Sequence, residues 1–130
     1  ESLMGKLYRV VSVEDDEDIF AVIKLTLKEL PVELLHAGTG EEAIALLSTM
    51  KPDLLLLDVT LPDMRGWDVL DKLAADGHKL EGVPIVVLTS HTELTHRVIA
   101  RFQGATAYLL KPFMPSALRD QVREILGLTT

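Results

Sequence analysis

Short apolar runs alternate with amphipathic stretches along the chain. The run Leu54–Asp58 holds four leucines and one carboxylate, and its lack of alternation predicts a strand buried on both faces. Shorter runs predict further strands at Leu7–Val13, Val32–His36, Pro84–Leu88 and Thr106–Leu110. After each strand, apolar residues recur at helical spacing, so the pattern predicts five strands that alternate with five helices.

Helix-start signals mark several of these boundaries. Thr39 and Glu42 have the spacing of a capping box, which predicts that Thr39 is the N-cap of the second helix. Ser90 and Glu93 have the same spacing, so we expect the fourth helix to start there. Pro115 is favourable in a first turn and predicts the start of the last helix.

The alternation predicts an α/β protein in which a parallel sheet lies between two helical layers, a three-layer αβα sandwich. The chain has 130 residues, which is enough for one domain with a proper core. We expect this domain to span residues 6–127. Residues 1–5 are expected to be an N-terminal lead-in and residues 128–130 a C-terminal tail.

The amino-acid composition argues against several classes of site and partner. The chain has no cysteine, which excludes disulfides and thiolate metal sites. No apolar run approaches the roughly 20 residues of a membrane helix. The net charge of −7 argues against direct binding of nucleic acid by this domain, because such binding needs a basic surface. The acidity either serves solubility or gathers carboxylates around a cation.

Chemically active side chains follow the predicted strands. Glu14 and Asp15 follow the first, Asp58 ends the Leu-rich one, Thr89 follows the next, and Lys111 follows the last. Because the carboxyl ends of parallel strands share one sheet edge, we expect these side chains to lie together. Crowded carboxylates need a cation, and oxygen ligands favour Mg²⁺. An ammonium and a hydroxyl beside them are suited to phosphoryl transfer onto a carboxylate.

At these residues the chain resembles a family, the receiver domain of response regulators in two-component signal transduction, of the chemotaxis-regulator type. Each motif alone is weakly specific, but all four occur in order, each at a strand end: Val10–Asp16, Leu57–Gly66, Val87–Ser90 and Tyr108–Phe113. The resemblance runs from about Lys6 to Gly127. It implies a flavodoxin-like fold with strand order 2-1-3-4-5 and a cytoplasmic location.

The resemblance implies roles for the residues at the sheet edge. Asp58 would accept a phosphoryl group from a histidine kinase or a histidine phosphotransfer protein. Asp15 and Asp58 would bind Mg²⁺ directly, Glu14 would act through water, and the backbone carbonyl of Thr60 would complete the protein ligands. Lys111 would contact the phosphoryl group. Such a domain catalyses only its own phosphorylation and dephosphorylation and is not a classical enzyme.

The resemblance also implies a switch. Thr89 would move towards the phosphoryl group, and Tyr108 would change rotamer in step. Thr60 and His91 would tune hydrolysis, and the Lys111–Pro112 peptide would be cis. The face formed by the fourth helix, fifth strand and fifth helix would then control a downstream protein or an output domain, or form a phosphorylation-dependent dimer. No membrane partner is expected.

Three positions depart from the family pattern, namely Ser90, Arg65 and Met114. Ser90 stands where a smaller residue is commoner, and its hydroxyl could cap the next helix or contact the phosphoryl group. Arg65 replaces a frequent Asp. Met114 occupies a position often filled by an N-capping Asp or Ser. None of these departures touches the acceptor, the acidic pair, Thr89 or Lys111, so the resemblance implies intact activity.

Three other functions are compatible with parts of this pattern. A haloacid-dehalogenase-like phosphatase also uses an Asp after an apolar strand, but it usually has a second Asp where Thr60 stands. A flavodoxin-like binding module would need a phosphate loop in place of Glu14–Asp16. A pseudo-receiver would not take phosphate. The acidic run Asp16–Asp18 is interpreted as a helix start, and His36, His78 and His96 as surface or structural residues.

Overall fold

The computed structural model describes residues 5–78 and 80–128. Most of the expected lead-in, residues 1–4, and residues 129–130 of the expected tail lie outside the described residues. The cis Lys111–Pro112 peptide is present as expected. No helix in the described ranges is both long and apolar enough to cross a membrane.

Strands and helices alternate as predicted across the described residues. The strands are β1 (Tyr8–Val13), β2 (Val32–Ala37), β3 (Leu54–Asp58), β4 (Ile85–Ser90) and β5 (Ala107–Lys111). The helices are α1 (Glu17–Leu27), α2 (Gly40–Leu47), α3 (Gly66–Ala75), α4 (His96–Arg101) and α5 (Pro115–Leu126). All strand pairs are parallel, in the order β2-β1-β3-β4-β5. The predicted fold class and strand order are therefore confirmed.

Alternate residues of the central strand supply two cores. Leu55 and Leu57 pack with apolar residues of α2, α3 and α4, whereas Leu54 and Leu56 pack with those of α1 and α5. All five residues of β3 are buried, because helices cover both sides of the sheet. Burial on both faces explains why this strand is a continuous apolar run.

The start of α4 differs from the prediction. Ser90 and Glu93 do form reciprocal hydrogen bonds, since Ser90 N–H donates to Glu93 Oε1 (3.2 Å) and Glu93 N–H donates to Ser90 Oγ (3.2 Å). They close a turn instead of a helix, and α4 begins only at His96 with Thr95 as its N-cap. The prediction was wrong because a tight turn can use the same residue spacing as a capping box.

The start of α2 is confirmed in part. Thr39 is the N-cap, and its hydroxyl accepts the Glu42 N–H at 3.1 Å. The Glu42 carboxylate, however, accepts from Gly38 N–H (2.8 Å) and not from the N-cap residue. Asp16, in turn, is the N-cap of α1, as the helix-start interpretation of the acidic run required.

Candidate functional site

The sheet register brings the predicted residues to one edge. Val13 pairs with Leu57 across β1 and β3, so Glu14 and Asp58 follow at the same level. On the other side of β3, Asp58 pairs with Leu88, which places Thr89 one residue beyond it. Ser90 pairs with Lys111 at the end of β4 and β5. Residues far apart in sequence therefore meet at the carboxyl ends of the strands.

An ion-paired group forms the centre of the site. Lys111 Nζ lies 2.8 Å from Glu14 Oε1 and 3.1 Å from Asp58 Oδ2. Glu14 is 1% exposed and Asp58 4% exposed, so both carboxylates are almost completely removed from water. Glu14 Oε1 has this ion pair and no other polar partner among the described residues. Lys111 therefore offsets the charge of two buried acids.

Burial and crowding change the protonation of this group. Burial, followed by the charge of Glu14, raises the pKa of Asp58 to about 7, although the charge of Lys111 opposes both effects. Burial alone would lower the pKa of Lys111, but its hydrogen bond with Glu14 and the charge of Asp58 outweigh burial and raise that pKa. The Lys111 ammonium therefore stays charged, whereas burial and the charge of Glu14 disfavour the ionised form of Asp58.

The carboxylates also fit a divalent cation. Glu14, Asp15 and Asp58 each offer one oxygen, and these oxygens lie within 4.8 Å of one another. Asp15 is exposed to solvent at the mouth of the site, whereas the other two are buried. Three carboxylates exceed the charge of the Lys111 ammonium, and an all-oxygen donor set is the one that Mg²⁺ prefers. These three carboxylates are the residues that could hold such an ion.

Of the expected switch and tuning residues, Thr60 alone has a hydrogen bond to the ion-paired group within the described part of the chain. Thr89 is fully buried, and its hydroxyl donates to the Ser90 carbonyl at 3.2 Å. The Tyr108 hydroxyl, partly buried, reaches the Ile99 carbonyl at 3.5 Å, and burial raises its pKa. His91 is exposed in the turn after β4. Thr60 N–H points to Asp58 Oδ1 at 3.4 Å.

Sequence reasoning missed two carboxylates that organise the loops. Glu93 Oε2 accepts a 2.6 Å hydrogen bond from the Thr60 hydroxyl, which joins the loops after β3 and β4. Asp63 accepts from Gly40 N–H (2.8 Å) and Glu41 N–H (3.0 Å), so it caps α2 from the loop after β3. Backbone hydrogen bonds, first that from Gly40, lower the pKa of Asp63. No local pattern signals either contact, because both depend on how separate loops meet.

The histidines match their interpretation as surface or structural residues. His78 and His96 are exposed, and His36 stacks on the Phe20 ring at a centroid distance of 3.7 Å. Trp67 packs edge-on against Phe102 at 5.8 Å, at the start of α3. None of the four belongs to the acidic cluster.

Comparison with known proteins identifies the family. The family model for the response regulator receiver domain matches residues 10–123 of this chain. The DNA-binding response regulator MtrA of Mycobacterium tuberculosis is 36% identical over 115 residues, which cover 88% of this chain and 49% of that protein. This chain spans about half the length of the curated relatives it matches.

Similar solved structures point to the same family. Chemotaxis protein CheY4 of Vibrio cholerae is 28% identical, with a TM-score of 0.80 over 93% of this chain and 100% of that chain. The receiver domain of sensor histidine kinase PA1611 from Pseudomonas aeruginosa, solved with a magnesium ion coordinated in the active site cleft, is 25% identical. Its TM-score is 0.78 over 94% of this chain and 99% of that chain. The sheet order, the strand-end chemistry and these matches lead to one conclusion: the chain belongs to the receiver domain family of two-component response regulators.

Proposed function

We propose that this domain is a phosphorylation switch in which Asp58 accepts a phosphoryl group from a histidine kinase or a histidine phosphotransfer protein. One observation carries the proposal: Asp58 ends a fully buried strand with Lys111 Nζ 3.1 Å away and carboxylate oxygens of Glu14 and Asp15 within 4.8 Å. A nucleophile, a cation for the phosphoryl oxygens and a divalent-ion site are thereby gathered at one point.

Phosphoryl transfer to Asp58 forms one bond to phosphorus and breaks another. A carboxylate oxygen of Asp58 attacks phosphorus, a P–O bond forms, and the bond from phosphorus to the donor nitrogen or acyl oxygen breaks. The donor leaves with the electron pair of that bond; an imidazole donor then takes a proton from solvent. Lys111 stays protonated and lowers the energy of the charge that gathers on the phosphoryl oxygens. In hydrolysis, water attacks phosphorus and Asp58 leaves as a carboxylate.

Positive charge decides whether Asp58 is ready to react. Its pKa of about 7 leaves a large share of the acid protonated near neutral pH, and a protonated acid is a poor nucleophile. A bound Mg²⁺ would supply positive charge that favours the ionised acid and offsets the phosphoryl charge. Asp15 and Asp58 would bind it directly, Glu14 through water, and the Thr60 carbonyl would complete the set.

The signal is proposed to leave the site through Thr89 and Tyr108. Thr89 would turn its hydroxyl from the Ser90 carbonyl towards the phosphoryl group, and Tyr108 would change rotamer against α4. The α4-β5-α5 face would thereby control a downstream protein or an output domain, or form a dimer. Thr60 and His91, beside the entrance, would tune phosphoryl lifetime. The relative MtrA is a DNA-binding regulator, which supports an output domain in a longer parent protein.

Phosphoryl stoichiometry separates the proposal from a phosphatase. With acetyl phosphate and Mg²⁺, each chain should acquire one labile phosphoryl group, and a generic phosphate ester should not be turned over. Asp58→Asn should abolish the labelling. Repeated turnover of the ester by the wild-type chain would instead support the phosphatase, and no labelling at all would support the pseudo-receiver.

Magnesium binding has its own measurement. Mg²⁺ should raise the free energy of unfolding by about 1–3 kcal/mol when its concentration is about 10 to 100 times the Kd. Asp15→Asn removes a ligand and should weaken this gain markedly. Asp76→Asn, at the far end of α3, is a charge-matched control that should keep it. Equal melting of metal-free and Mg²⁺-loaded wild type would contradict the cation site.

A further inference from the structure

A single carboxylate ties together the two loops beside Asp58. Glu93 Oε2 accepts the hydroxyl proton of Thr60 at 2.6 Å, and Glu93 Oε1 accepts Ser90 N–H at 3.2 Å. Thr60 lies two residues after Asp58, and Ser90 directly follows Thr89. The loop after β3 and the turn after β4 are therefore held together by one side chain.

A guanidinium completes this network. Arg65 Nη1 donates to Thr60 Oγ1 at 2.8 Å, so the Thr60 hydroxyl donates to Glu93 and accepts from Arg65 at once. A backbone bridge between Thr60 and Arg65 fixes the loop that carries both. We call Thr60, Arg65, Ser90 and Glu93 the Glu93 clamp. Within this clamp, the Thr60 hydroxyl and the Ser90 N–H already have hydrogen-bond partners.

The negative charge of Glu93 interacts with the Lys111 ammonium of the site. Burial raises the pKa of Glu93, but the hydrogen bonds from Thr60 and Ser90 and the charge of Lys111 together lower it. The group is therefore an ionised carboxylate within electrostatic reach of the ammonium that contacts Asp58. It adds a further negative charge to a site that already gathers three carboxylates.

We propose that Glu93 is a positioning residue that holds the loops after β3 and β4 together before phosphorylation and slows the entry of anionic phosphoryl donors. This inference rests on the proposed function of Asp58. A donor approaching Asp58 is repelled by the carboxylate, and the Thr60 hydroxyl and Ser90 N–H become free for phosphoryl oxygens only when the clamp opens.

A purely structural role for Glu93 is the competing interpretation. Glu93 N–H also donates to the Ser90 carbonyl (3.1 Å) and to Ser90 Oγ (3.2 Å), so the turn is closed by its own backbone without the carboxylate. Glu93→Gln removes the charge and keeps one of the two oxygen acceptors, enough for the hydrogen bond from Ser90 N–H or that from the Thr60 hydroxyl. Glu29→Gln, at an exposed position after α1, makes the same change in net charge away from the site.

The decisive experiment measures the rate of Asp58 phosphorylation against acetyl phosphate concentration, at saturating Mg²⁺, for wild type, Glu93→Gln and Glu29→Gln. At low salt, Glu93→Gln should raise the second-order rate constant about three- to tenfold, whereas the maximal rate changes less. The gain should shrink at about 1 M salt, because screening then acts over a few ångströms. Glu29→Gln should stay close to wild type.

The outcomes separate the two proposals. If wild type is phosphorylated but Glu93→Gln reacts no faster at low salt, or Glu29→Gln gains as much, the inference is overturned and the proposed function stands. A gain that persists unchanged at high salt also overturns it, since the charge would not be its cause. If wild type takes no phosphoryl group, both fall. Thermal melts verify folding, and Glu93→Ser, which also lacks the charge, replaces Glu93→Gln if the latter does not fold.

Discussion

At the scale of single residues, Asp58 shows how the fold prepares a side chain. The unfolded chain would release its proton near the ordinary pKa of 3.8, but burial and Glu14 raise the folded pKa to about 7. Between these values the folded chain holds a proton that the unfolded chain has lost. The contribution of Asp58 to the free energy of unfolding therefore falls as pH rises through this window, and the cost is complete above it.

The variant Asp58→Asn tests this cost. In metal-free buffer at pH 8, it should be more stable than wild type by on the order of 1–4 kcal/mol, because the amide carries no charge to bury. The advantage should shrink as pH falls from about 7 towards 4. Urea unfolding at several pH values measures it, with Asp76→Asn as a control without this trend. A wild type more stable than the variant at pH 8 would mean that the attraction of Lys111 dominates.

Met114 stands at a helix N-cap but has no side-chain group that can cap the helix. It is the N-cap of α5 in extended conformation, makes no side-chain capping bond and is 70% exposed. Met114→Asp should raise the free energy of unfolding by about 0.5–2 kcal/mol, since the carboxylate can accept a free N–H of the first turn. Met114→Ala, which cannot cap, should give no such gain. An unchanged or lower melting temperature for Met114→Asp would contradict this account.

At the scale of elements, the turn from β3 into α3 fixes the acceptor. Gly66 N–H donates to the Val59 carbonyl at 2.7 Å, which draws the start of α3 against the end of β3. A Cβ at Gly66 would lie 2.2 Å from the backbone oxygen of Asp58, a distance that real atoms do not share. Glycine is required there for close approach, and the backbone of Asp58 would have to move to admit any other residue.

Gly66→Ala should therefore lower both stability and phosphorylation. We expect a loss of about 1–3 kcal/mol or more in the free energy of unfolding, as for overpacked sites. Gly40→Ala is the matched control, because the three atoms nearest to its Cβ all belong to the flexible side chain of Met64, which can change rotamer. Urea unfolding and phosphorylation rates measure both effects. Equal losses in the two variants would show that the backbone contact at Asp58 is not special.

Elements were predictable where burial is two-sided. The strand bounds lie within two residues of the apolar runs, and β3, which is covered on both faces, is apolar at every position except Asp58. The predicted start of α4 was wrong because the Ser90–Glu93 spacing is compatible with a turn as well as with a helix. The Glu93–Thr60 contact crosses 33 positions and is set by two loop conformations, so no local pattern could indicate it.

At the scale of the whole molecule, the parallel sheet creates the site. Glu14, Asp58 and Lys111 belong to three strand ends that are widely separated in the sequence, yet the two carboxylates share one ammonium at 2.8 and 3.1 Å. Their meeting was predictable because parallel strands end at one edge. The ion pairs and the raised pKa of Asp58 were not, because they depend on burial and side-chain geometry. The net charge of −7 is thus partly concentrated where a cation would bind.

Intact-mass spectrometry after exposure to acetyl phosphate and Mg²⁺ tests the central claim most directly. The wild-type chain should gain the mass of one phosphoryl group, chelation of Mg²⁺ should suppress the gain, and Asp58→Asn should show none. A wild-type chain without this adduct, or the same adduct on Asp58→Asn, would contradict the assignment of Asp58 as the phosphoryl acceptor.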